Sequence, residues 1–504
     1  MKIYKAFEEA KNGTCIPVFL SGRSMESRYN PQRDAENLLA TIDPSDCQFF
    51  LVLGLGSGLF IELLSQKYQD AKILVLELYD EDLEFLSQQE RIQKLKNNPS
   101  ITLVSLENIE EELIKNYLPA KYGNLKIIEQ RGWINENQDK LEIINSRLKK
   151  TLGIISADYS VQAHFGKIWT SNILNNSIFA QGKKLSSLND FSEELNKTAV
   201  IVAAGPSLDR TIKLLSNKNQ RENYFIFATD TAGQALVKKG IIPELIVSID
   251  GQTVSHNHFM NSGLLSNTDG SSPLFAFDLS SNSSAARYVY ESGHKLMFFT
   301  SGHPLAAAIN VSNGNVLPQF FSGAGTVTIT ALDMAIQSGF KNILILGADF
   351  SYSKGKAYTS GTYLDTLYNQ SSSKIDKSEQ TFSKLMFRTE LHPLGEDIKT
   401  TDILQAYKES LEKYLYSRGI TFTLENQIYR LHCPADIKRT PFPGPVENFS
   451  LENFISKVKK ASSEEIETLL LPYIAWLRNN KSYKKLSYKE LLKLALDTIV
   501  SYNM

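Results

Sequence analysis

The alternation of hydrophobic and polar positions along the chain predicts strands and helices that follow each other in turn. Short apolar runs, such as residues 49–53 (FFLVL) and 198–202 (TAVIV), are typical of buried strands. Each of these runs leads into a glycine-containing turn and then into residues that are compatible with a helix. This order predicts an α/β fold with parallel sheets, in which ligands bind beyond the carboxyl ends of the strands.

The turn Ala203–Asp209 (AAGPSLD) is the most informative stretch, because it joins the predicted strand 198–202 to a predicted helix start. Gly205 lets the backbone approach a ligand closely, Pro206 fixes the turn, and Ser207 is a good N-cap whose hydroxyl can reach a phosphoryl oxygen. Backbone N–H groups at a helix start bind phosphate. The turn therefore predicts a phosphate site, although similar turns also occur in α/β proteins that bind no nucleotide.

Three further apolar runs end in a carboxylate: FIFATD at Asp230, LIVSID at Asp250 and ILILGAD at Asp349. At the carboxyl edge of a parallel sheet, Asp230 can accept from a ribose hydroxyl or a base amine, and Asp250 can hold a ribose or a cation. Asp349 can position a sugar or a helix. The alternative is structural, since an Asp after a strand more commonly caps a helix or closes a turn. The coincidence of these carboxylates with the glycine turn favours a site for a nucleotide or an activated donor.

A second glycine-rich turn, with Gly54, Gly56 and Gly58, lies between a predicted strand and a predicted helix near the N-terminus. The following strand (AKILVLEL) carries Glu77 near its end, where a carboxylate can take ribose hydroxyls. This arrangement resembles the cofactor site of Rossmann-like methyltransferases. The alternative is a Rossmann-like domain without a cofactor, because no further methyltransferase motif follows.

Helical periodicity replaces the strand signals between residues 132 and 191 and returns in the tail from residue 450. The polar stretch 351–383 directly follows Asp349 and is too long for a plain turn, so we predict a lid or acceptor-binding flap, with surface disorder as the alternative. Residues 403–431 predict a helix, a turn and a short strand, and a proline-rich stretch, 440–446, then ends the central region. The predicted domains are a Rossmann-like domain over 1–131, a helical connector over 132–184, a central α/β domain over 185–440 and a helical module over 441–504.

The composition is that of an ordinary globular protein, since 42% of the 504 residues are hydrophobic and 22% are charged. The 54 basic and 55 acidic side chains balance, so no bulk charge attracts nucleic acid or a membrane surface. Cys15, Cys47 and Cys433 are far apart and form no C-x-x-C motif, so neither a zinc site nor a disulfide framework is predicted. The sequence has no apolar run long enough to cross a bilayer and no leader-like N-terminus, so we expect a cytoplasmic protein.

The segments 203–209, 228–252 and 322–352 resemble the central domain of the motility-associated factor (Maf) glycosyltransferases. Two N-terminal segments, 27–39 (SRYNPQRDAENLL) and 51–64 (LVLGLGSGLFIELL), are similar to the first domain of the same family. The resemblance implies transfer of a nonulosonic acid, such as pseudaminic or legionaminic acid, from a CMP-activated donor to serine or threonine of flagellin. The implied partners are therefore flagellin and the CMP-linked donor, and the implied role is in flagellar assembly and motility.

The central domain is also similar to bacterial sialyltransferases, which use CMP-sialic acid and for which a metal is dispensable. The shared pattern is a glycine-proline-serine turn, a later Ser-Gly pair and a strand that ends in G-x-D-F. It implies a sialyltransferase-like (GT-A-like) domain in which the turn 205–207 holds the donor phosphate and ribose, while Ser322 and Gly323 contact the donor. No cofactor beyond the donor substrate is implied, and the sequence leaves the role of a divalent metal and the oligomeric state open.

The same resemblance supplies candidates for the chemistry, which needs a stabilised phosphate leaving group and a base for the acceptor hydroxyl. In the sialyltransferases, tyrosines shortly after the G-x-D-F strand neutralise the departing phosphate, and Tyr352 and Tyr358 lie at that place. The sequence differs from the sialyltransferase pattern in the catalytic base, because the histidine of that family has no clear counterpart in this chain. The titratable candidates are His392, Asp349 and His303, although a lone histidine is more often an ordinary packed residue.

Two other functions fit the same residues. The central domain also resembles archaeal 6-hydroxymethylpterin pyrophosphokinases, in which ATP and magnesium would be used and Asp230 and Asp250 would lie beside the metal. The third hypothesis is a flagellin-associated protein that kept the nucleotide fold without the chemistry, since the sequence supplies no clear base.

Overall fold

The structure is a computed structural model of the chain, and it describes residues 2–43, 47–260, 263–266, 272–323, 325–370, 384–437 and 439–502. The chain forms two compact units. The N-terminal unit comprises residues 1–166 and 470–497, and the central unit comprises residues 167–469 and 498–504. Both units contain parallel sheets and helices, so the predicted mixed α/β class is confirmed.

The N-terminal unit contains a four-stranded sheet and a small hairpin. Its strands are β1 (Tyr4–Glu9), β2 (Cys15–Phe19), β3 (Cys47–Leu53), β4 (Lys72–Glu77), β5 (Ile101–Ser105) and β6 (Asn124–Glu129). The sheet is parallel, in the order β5-β4-β3-β6, whereas β1 and β2 pair antiparallel. Its helices are Pro31–Ala40, Leu59–Lys67, Asp80–Leu86, Glu90–Lys96, Ile109–Asn116, Pro119–Tyr122 and Arg131–Glu136, with short 3₁₀ helices at Leu106–Asn108 and Gln138–Lys140.

The predicted strand–turn–helix order of this unit is confirmed. Residues 49–53 lie inside β3 and are at most 1% exposed, as expected for a strand covered on both faces. The glycine-rich turn leads into the helix Leu59–Lys67, and β4 ends at Glu77. The N-cap of that helix is Gly58, with φ of 79°, a left-handed conformation that favours glycine.

The central unit contains one large sheet and one small sheet. Its strands are β7 (Thr198–Val202), β8 (Tyr224–Thr229), β9 (Leu245–Ser248), β10 (Leu274–Asp278), β11 (Leu296–Phe299), β12 (Asn342–Leu346), β13 (Tyr352–Ser353), β14 (His392–Gly395), β15 (Ile398–Thr400), β16 (Thr421–Glu425) and β17 (Ile428–His432). The large sheet has the order β11-β10-β9-β8-β7-β12-β17-β16, in which the first six strands are parallel and the last two antiparallel. The small antiparallel sheet has the order β13-β15-β14.

Helices cover the large sheet and connect its strands. They are Leu208–Thr211, Lys213–Ser216, Lys218–Arg221, Asp230–Val237, Ser283–Glu291, Pro304–Ser312, Val327–Ser338, Tyr363–Gln370, Asp402–Ser417 and Leu451–Val458. Short 3₁₀ helices lie at Leu188–Glu194, Thr253–His258 and Gly263–Leu265. The carboxyl ends of the six parallel strands therefore share one edge of the sheet, which is where ligands of such sheets bind.

The helical regions lie where the periodicity predicted them, but the units do not follow the four predicted segments. Most of the predicted connector, residues 132–184, is one 40-residue helix, Leu141–Ala180. The tail contains the helices Ser463–Asn479 and Tyr488–Ser501 and a 3₁₀ helix at Lys481–Tyr483. Residues 470–497 belong to the N-terminal unit, where Arg478 donates hydrogen bonds to backbone carbonyls at residues 120 and 121. In the part of the chain that is described, no helix is long and apolar enough to span a membrane.

The region after the helix Asp402–Ser417 differs from the prediction of a single strand. It forms the hairpin β16–β17, joined at Asn426 and Gln427, and β17 pairs with β12. Both turn residues have positive φ, 52° and 65°, which matches the right-handed twist of the flanking strands. Without the usual Asn-Gly or Asp-Gly pair, the sequence gives a weak hairpin signal here.

Candidate active site

The turns that follow β7 and β12 are locked together at the carboxyl edge of the large sheet. The N–H of Gly205 donates to the carbonyl of Gly347 over 2.8 Å, and the N–H of Ser207 donates to Oδ2 of Asp349 over 2.8 Å. A Cβ on Gly205 would lie 2.2 Å from Asp349 Oδ2, and one on Gly347 would lie 2.2 Å from the Ala203 carbonyl oxygen. Only glycine fits at these two positions, because the two turns touch through their backbones.

The same contacts differ from the phosphate cradle that the sequence predicted. The N–H groups of Gly205 and Ser207 are already bonded inside the protein, and Pro206 has none. The helix Leu208–Thr211 has four residues, and Ser207, which precedes it, makes no side-chain capping bond. Burial raises the pKa of Asp349, while the Ser207 N–H opposes that rise. In this conformation Asp349 accepts the hydrogen bond from the Ser207 N–H that we expected a phosphate to accept.

Asp230 is buried and links the end of β8 to the end of β9 through hydrogen bonds. It is 2% exposed and begins the helix Asp230–Val237, whose N-cap is Thr229. Its Oδ1 accepts from the N–H and hydroxyl of Thr231, and its Oδ2 accepts from the Ser248 hydroxyl at the end of β9 over 2.6 Å. These bonds match the structural alternative for a strand-end aspartate.

Asp250 is the more accessible carboxylate of the pair. It lies two residues beyond β9, is partly buried, and accepts from the N–H of Gln252 over 2.9 Å. Burial raises its pKa, and the Gln252 bond opposes the rise. A partly buried carboxylate at this edge is suited to a ligand hydroxyl.

A fourth strand-end aspartate, Asp278, was missed by the sequence analysis. It ends β10, is 1% exposed, and its Oδ1 accepts from the N–H and hydroxyl of Ser280. The apolar run LFAFD follows the same pattern as the other three and therefore contained the signal. Because Asp278 is enclosed, we regard it as a support of the edge.

Five tyrosines form a cluster within electrostatic reach of one another, and three of them, Tyr358, Tyr363 and Tyr407, are also within reach of Asp230 or Asp250. Its members are Tyr352, Tyr358, Tyr363, Tyr368 and Tyr407. Burial raises the pKa of Tyr358 to about 12 although 36% of the residue is exposed, and neighbouring phenols and Asp230 add to the rise. Burial likewise raises the pKa of Tyr363 to about 12. Tyr358 and Tyr363 therefore remain protonated hydrogen-bond donors.

The structure extends the predicted pair of tyrosines by residues with different sequence signals. Tyr363 belongs to the tyrosine-rich stretch 352–368, and its ring lies 4.5 Å from the ring of His258. Tyr407 lies on the helix Asp402–Ser417, far along the chain, and carries no local signal. Burial raises the pKa of Tyr407, and Asp250 adds to the rise.

Ser322 and Gly323, which we predicted to contact the sugar donor, lie in a loop whose start is hydrogen-bonded to Asp333. The Ser322 hydroxyl donates to the Ser301 carbonyl, and the preceding N–H of Phe321 donates to Asp333 Oδ2 over 2.7 Å. Gly323 has φ of 56°. Asp333 is fully buried in the helix Val327–Ser338, so it fixes where this loop begins.

His392 and Tyr352 belong to the small sheet rather than to the large one. His392 begins β14, Tyr352 begins β13, and β15 lies between them. The Nε2 of His392 is 2.9 Å from Oδ1 of Asp402, but this close contact does not have the geometry of a hydrogen bond. Burial raises the pKa of Tyr352.

The third candidate base, His303, has a structural role. Its Nδ1 accepts from the N–H of Leu305 and so caps the helix Pro304–Ser312. Burial lowers its pKa to about 4. The centroid of its ring lies 5.7 Å from the centroid of the Trp169 ring. With Nδ1 used as the cap, the neutral ring carries its proton on Nε2 and has no free nitrogen lone pair for a base.

The first part of the predicted lid is fastened to the glycine-proline-serine turn. Asp209 accepts from Thr359 Oγ1 over 2.7 Å, from the Ser360 N–H over 3.0 Å and from Lys356 Nζ over 3.0 Å. Burial works against the charge of Asp209, but these bonds outweigh it and lower the pKa to about 2. Residues 371–383 of the predicted lid lie outside the described residues.

We expect Asp209→Ala to release residues 356–360 from the turn. Losing the hydrogen bonds to this carboxylate costs about 2 kcal/mol locally, which corresponds to about 30-fold faster amide exchange at Ser360. The stabilisation by the ionised Asp209 carboxylate is fully present above the ordinary aspartate pKa of 3.8. It is lost as the pH falls through about 2, because the folded-state pKa is lower than the unfolded-state pKa. Hydrogen-exchange mass spectrometry measures the exchange rate at Ser360, with the exposed Glu396→Ala as control. An unchanged rate in Asp209→Ala would show that Asp209 does not hold residues 356–360.

The glycine-rich turn of the N-terminal unit is filled by the protein's own side chains. Glu77 is 0% exposed, and its Oε1 accepts from the Leu55 N–H over 2.6 Å and from the Tyr4 hydroxyl over 3.1 Å. Its Oε2 accepts from Trp133 Nε1 over 2.8 Å. A Cβ on Gly54 would lie 2.6 Å from the Trp133 ring. The carboxylate that we predicted for ribose hydroxyls is thus already bonded.

Glu26 occupies the other side of this turn. Its Oε1 accepts from the Ser57 N–H over 3.0 Å and from the Ser57 hydroxyl over 2.7 Å. A Cβ on Gly56 would lie 2.8 Å from Glu26 Oε1. A protein carboxylate therefore sits where such turns hold an anionic ligand group, which favours the hypothesis of a Rossmann-like domain without a cofactor at this turn.

Comparisons with known proteins agree with this architecture. Residues 171–355 match the family model described as 6-hydroxymethylpterin diphosphokinase MptE-like. An uncharacterised protein of Treponema pallidum (strain Nichols) is 35% identical over 151 residues, which are 29% of this chain and 67% of the relative. A second uncharacterised protein of that organism is 27% identical over 229 residues, which are 45% of this chain and 75% of the relative.

Among solved structures, the Maf glycosyltransferase from Magnetospirillum magneticum AMB-1 has a similar fold, with a TM-score of 0.50 and 12% identity. The match covers 99% of this chain and 91% of that one. The relationship to Maf and MptE-like proteins is therefore confirmed, through the fold for the first and the central segment for the second. The chain belongs to the same family as the first Treponema pallidum protein.

Proposed function

We propose that the chain is a glycosyltransferase that moves a nonulosonic acid from a CMP-activated donor to serine or threonine hydroxyls of flagellin. The observation that carries this proposal is the tyrosine cluster beside Asp230 and Asp250, at the carboxyl edge of the parallel sheet. Phenols placed at this edge are suited to a phosphate leaving group. The fold shared with a Maf glycosyltransferase supports glycosyl transfer as the reaction class.

In the proposed reaction, the acceptor oxygen attacks the anomeric carbon of the sugar while the bond from that carbon to the CMP phosphate oxygen breaks. CMP leaves with the bonding electron pair, the anomeric configuration inverts, and the acceptor hydroxyl gives its proton to a base. Tyr352 and Tyr358 donate hydrogen bonds to the phosphate as its charge develops, because their raised pKa values keep them protonated.

His392 is the proposed base. Asp402 lies 2.9 Å from its Nε2, and a small rotation of either side chain would form the hydrogen bond that holds the ring while Nδ1 takes the proton. Asp349 is proposed to hold the glycine-proline-serine turn instead, because its Oδ2 already accepts from Ser207. Donor binding then falls to Asp250, Ser322 and the residues around the turn.

A calorimetric titration of the full chain with CMP, CTP and ATP, each with and without magnesium, tests the proposal. Selective binding of CMP without magnesium is expected. Sugar transfer to purified flagellin, followed by mass spectrometry of the acceptor peptides, then tests the reaction. Failure to bind any of these nucleotides would favour a flagellin-associated protein without catalysis.

The second candidate is a magnesium- and ATP-dependent diphosphokinase-like transferase, which the family-model match over residues 171–355 favours. In that case Asp230 and Asp250 would lie on the metal side of the triphosphate. Asp230 is 2% exposed and bonded to Thr231 and Ser248, so it would have to give up those bonds to reach a hydrated cation. ATP binding that requires magnesium would select this candidate.

We expect Tyr358→Phe to slow sugar transfer by about 10²-fold to 10³-fold, because one donor to the leaving phosphate is lost where charge develops. CMP affinity is expected to change by less than about tenfold, since the ring and the fold are kept. Steady-state kinetics with flagellin measure both effects. Tyr416→Phe is the control, because Tyr416 is 87% exposed; an equal loss in both variants would refute the role of Tyr358.

A further inference from the structure

His258 is a buried histidine of the central unit whose ring nitrogens the protein does not use. It is 8% exposed and ends the short 3₁₀ helix Thr253–His258, which follows β9. Its Nδ1 is enclosed, and among the described residues neither ring nitrogen forms a hydrogen bond. Buried polar groups without a partner are rare in folded proteins, so a ligand group or a water molecule is expected at this ring.

The place of the His258 ring is fixed by its neighbours. Nε2 of Gln234, a residue that is 6% exposed, donates to the carbonyls of Asn257 and His258 over 3.0 Å and 2.9 Å. The centroids of the His258 and Tyr363 rings lie 4.5 Å apart at an interplanar angle of 86°, so the rings pack edge to face. The imidazole is therefore held in place before a ligand arrives, as a residue that selects a ligand requires.

His258 places a hydrogen-bond donor near the acceptor Asp250. Buried N–H groups without an acceptor are rarer than buried lone pairs without a donor, so the neutral ring carries its proton on Nε2 rather than on the enclosed Nδ1. Burial raises the pKa of Asp250, and His258 is near enough for a charge on its ring to oppose that rise. Asp250 accepts from the Gln252 N–H, and an ionised carboxyl has room for about four such bonds.

The position of this pair along the sheet suits the base of a nucleotide rather than its phosphate. The proposed phosphate donor Tyr358 lies beside the turn after β7, because the N–H of the next residue, Thr359, donates to the Ala204 carbonyl over 2.8 Å. Asp250 follows β9, which is two strands away in a sheet whose neighbouring strands lie about 4.8 Å apart. The pair therefore lies roughly 10 Å along the edge from the phosphate donor.

The charges and the order of the polar groups select the kind of base. Asp230 and Asp250 follow neighbouring strands, and two carboxyl groups disfavour the carboxylate of a sugar acid at this place. Cytosine is uncharged, and its Watson–Crick edge has an acceptor, N3, beside a donor, the N4 amine. Uracil has the reverse order, N3–H beside O4, so it would set O4 against a carboxylate.

We propose that Asp250 and His258 read the Watson–Crick edge of the donor's cytosine, with the N4 amine donating to Asp250 and N3 accepting from Nε2 of His258. This inference rests on the proposed function, because it takes the CMP-activated donor as the ligand. Adenine has the same order of acceptor and donor, N1 and the N6 amine, so the pair would also serve the ATP-dependent second candidate. His258 is thus a specificity-determining residue, and His392 keeps the role of base.

Calorimetry of the full chain with CMP and UMP tests the pair, because the two nucleotides differ only in the edge of the base. CMP is expected to bind about 30-fold more tightly than UMP. His258→Phe keeps a ring against Tyr363 but has no donor, so the affinity ratio is expected to fall to about threefold or less. Asp250→Asn supplies an amide that can donate to O4 of uracil, so UMP is expected to gain relative to CMP.

The affinity ratio separates recognition from folding, because a merely structural role of His258 would weaken CMP and UMP alike. His256→Phe is the matched control, since His256 lies on the same 3₁₀ helix but its ring packs against Tyr288. His258→Gln retains an N–H donor and is expected to keep part of the discrimination. Thermal melting of each variant checks that the fold is kept.

The outcomes distinguish this inference from the proposed function. Equal affinity of the unaltered chain for CMP and UMP, or an unchanged ratio in His258→Phe, would overturn the inference and leave the CMP donor standing. Binding of AMP in preference to GMP, without CMP binding and with the same dependence on His258, would refute the CMP donor and keep the reading of the base edge. No binding of any of the four nucleotides would overturn both.

Discussion

Gly205→Ala is expected to abolish CMP binding and transferase activity and to destabilise the central unit by about 3 kcal/mol. The added Cβ would lie 2.2 Å from Asp349 Oδ2 and 2.4 Å from the Gly347 carbonyl oxygen, distances that no real Cβ adopts. The turn must therefore move away from β12. That movement breaks the hydrogen bonds from Gly205 to Gly347 and from Ser207 to Asp349.

Chemical denaturation and CMP calorimetry measure the two effects of Gly205→Ala. Gly444→Ala is the matched control, because a Cβ there meets nothing within 4 Å and its backbone is not left-handed. If Gly205→Ala kept full stability and CMP affinity, the locked turns would not be the base of the site.

Asp333→Ala is expected to cost about 3–5 kcal/mol, because it removes a fully buried carboxylate that serves several donors. Oδ1 accepts from the Tyr414 hydroxyl over 2.5 Å and from Arg418, and Oδ2 accepts from the Phe321 N–H and from Gln337. The Tyr414 hydroxyl, whose residue is only 4% exposed, would be left buried without its acceptor.

The second effect of Asp333→Ala is on the donor site. Releasing the Phe321 N–H frees the start of the loop with Ser322 and Gly323, so we expect the Michaelis constant for the donor to rise as well. Thermal unfolding and donor kinetics measure the two effects, with the exposed Glu447→Ala as control. A stable variant with unchanged kinetics would show that Asp333 does not hold this loop.

Much of the fold was predictable because its signals are local. The apolar runs predicted β3 and β7 with the glycine turns after them, and the helical periodicity predicted the stretch that forms Leu141–Ala180. Such patterns depend on neighbouring residues in one strand or one helix, and burial of one face imposes them on the sequence. The hairpin β16–β17 was predicted as one strand, because its turn residues give a weak signal.

The candidate site was predictable in position but not in its bonding. The sequence placed Asp230, Asp250 and Asp349 at strand ends, and the parallel sheet brought those ends to one edge. It did not reveal that Asp349 would bond the N–H of Ser207, 142 residues away. Nor did it reveal Tyr407 beside Asp250, since no periodicity links that helix to the sheet.

By itself, the sequence determined the α/β class, the two glycine turns and the carboxylates at the strand ends, because each follows from the pattern of a few consecutive residues. The tertiary structure alone decided which of these groups remain open to a ligand. It bonded Glu77 to Trp133 and Asp230 to Ser248, and it left Asp250 partly accessible. The physical reason is that hydrogen-bond partners and burial depend on side chains distant along the chain, whose meeting is fixed only when the sheets and helices pack together.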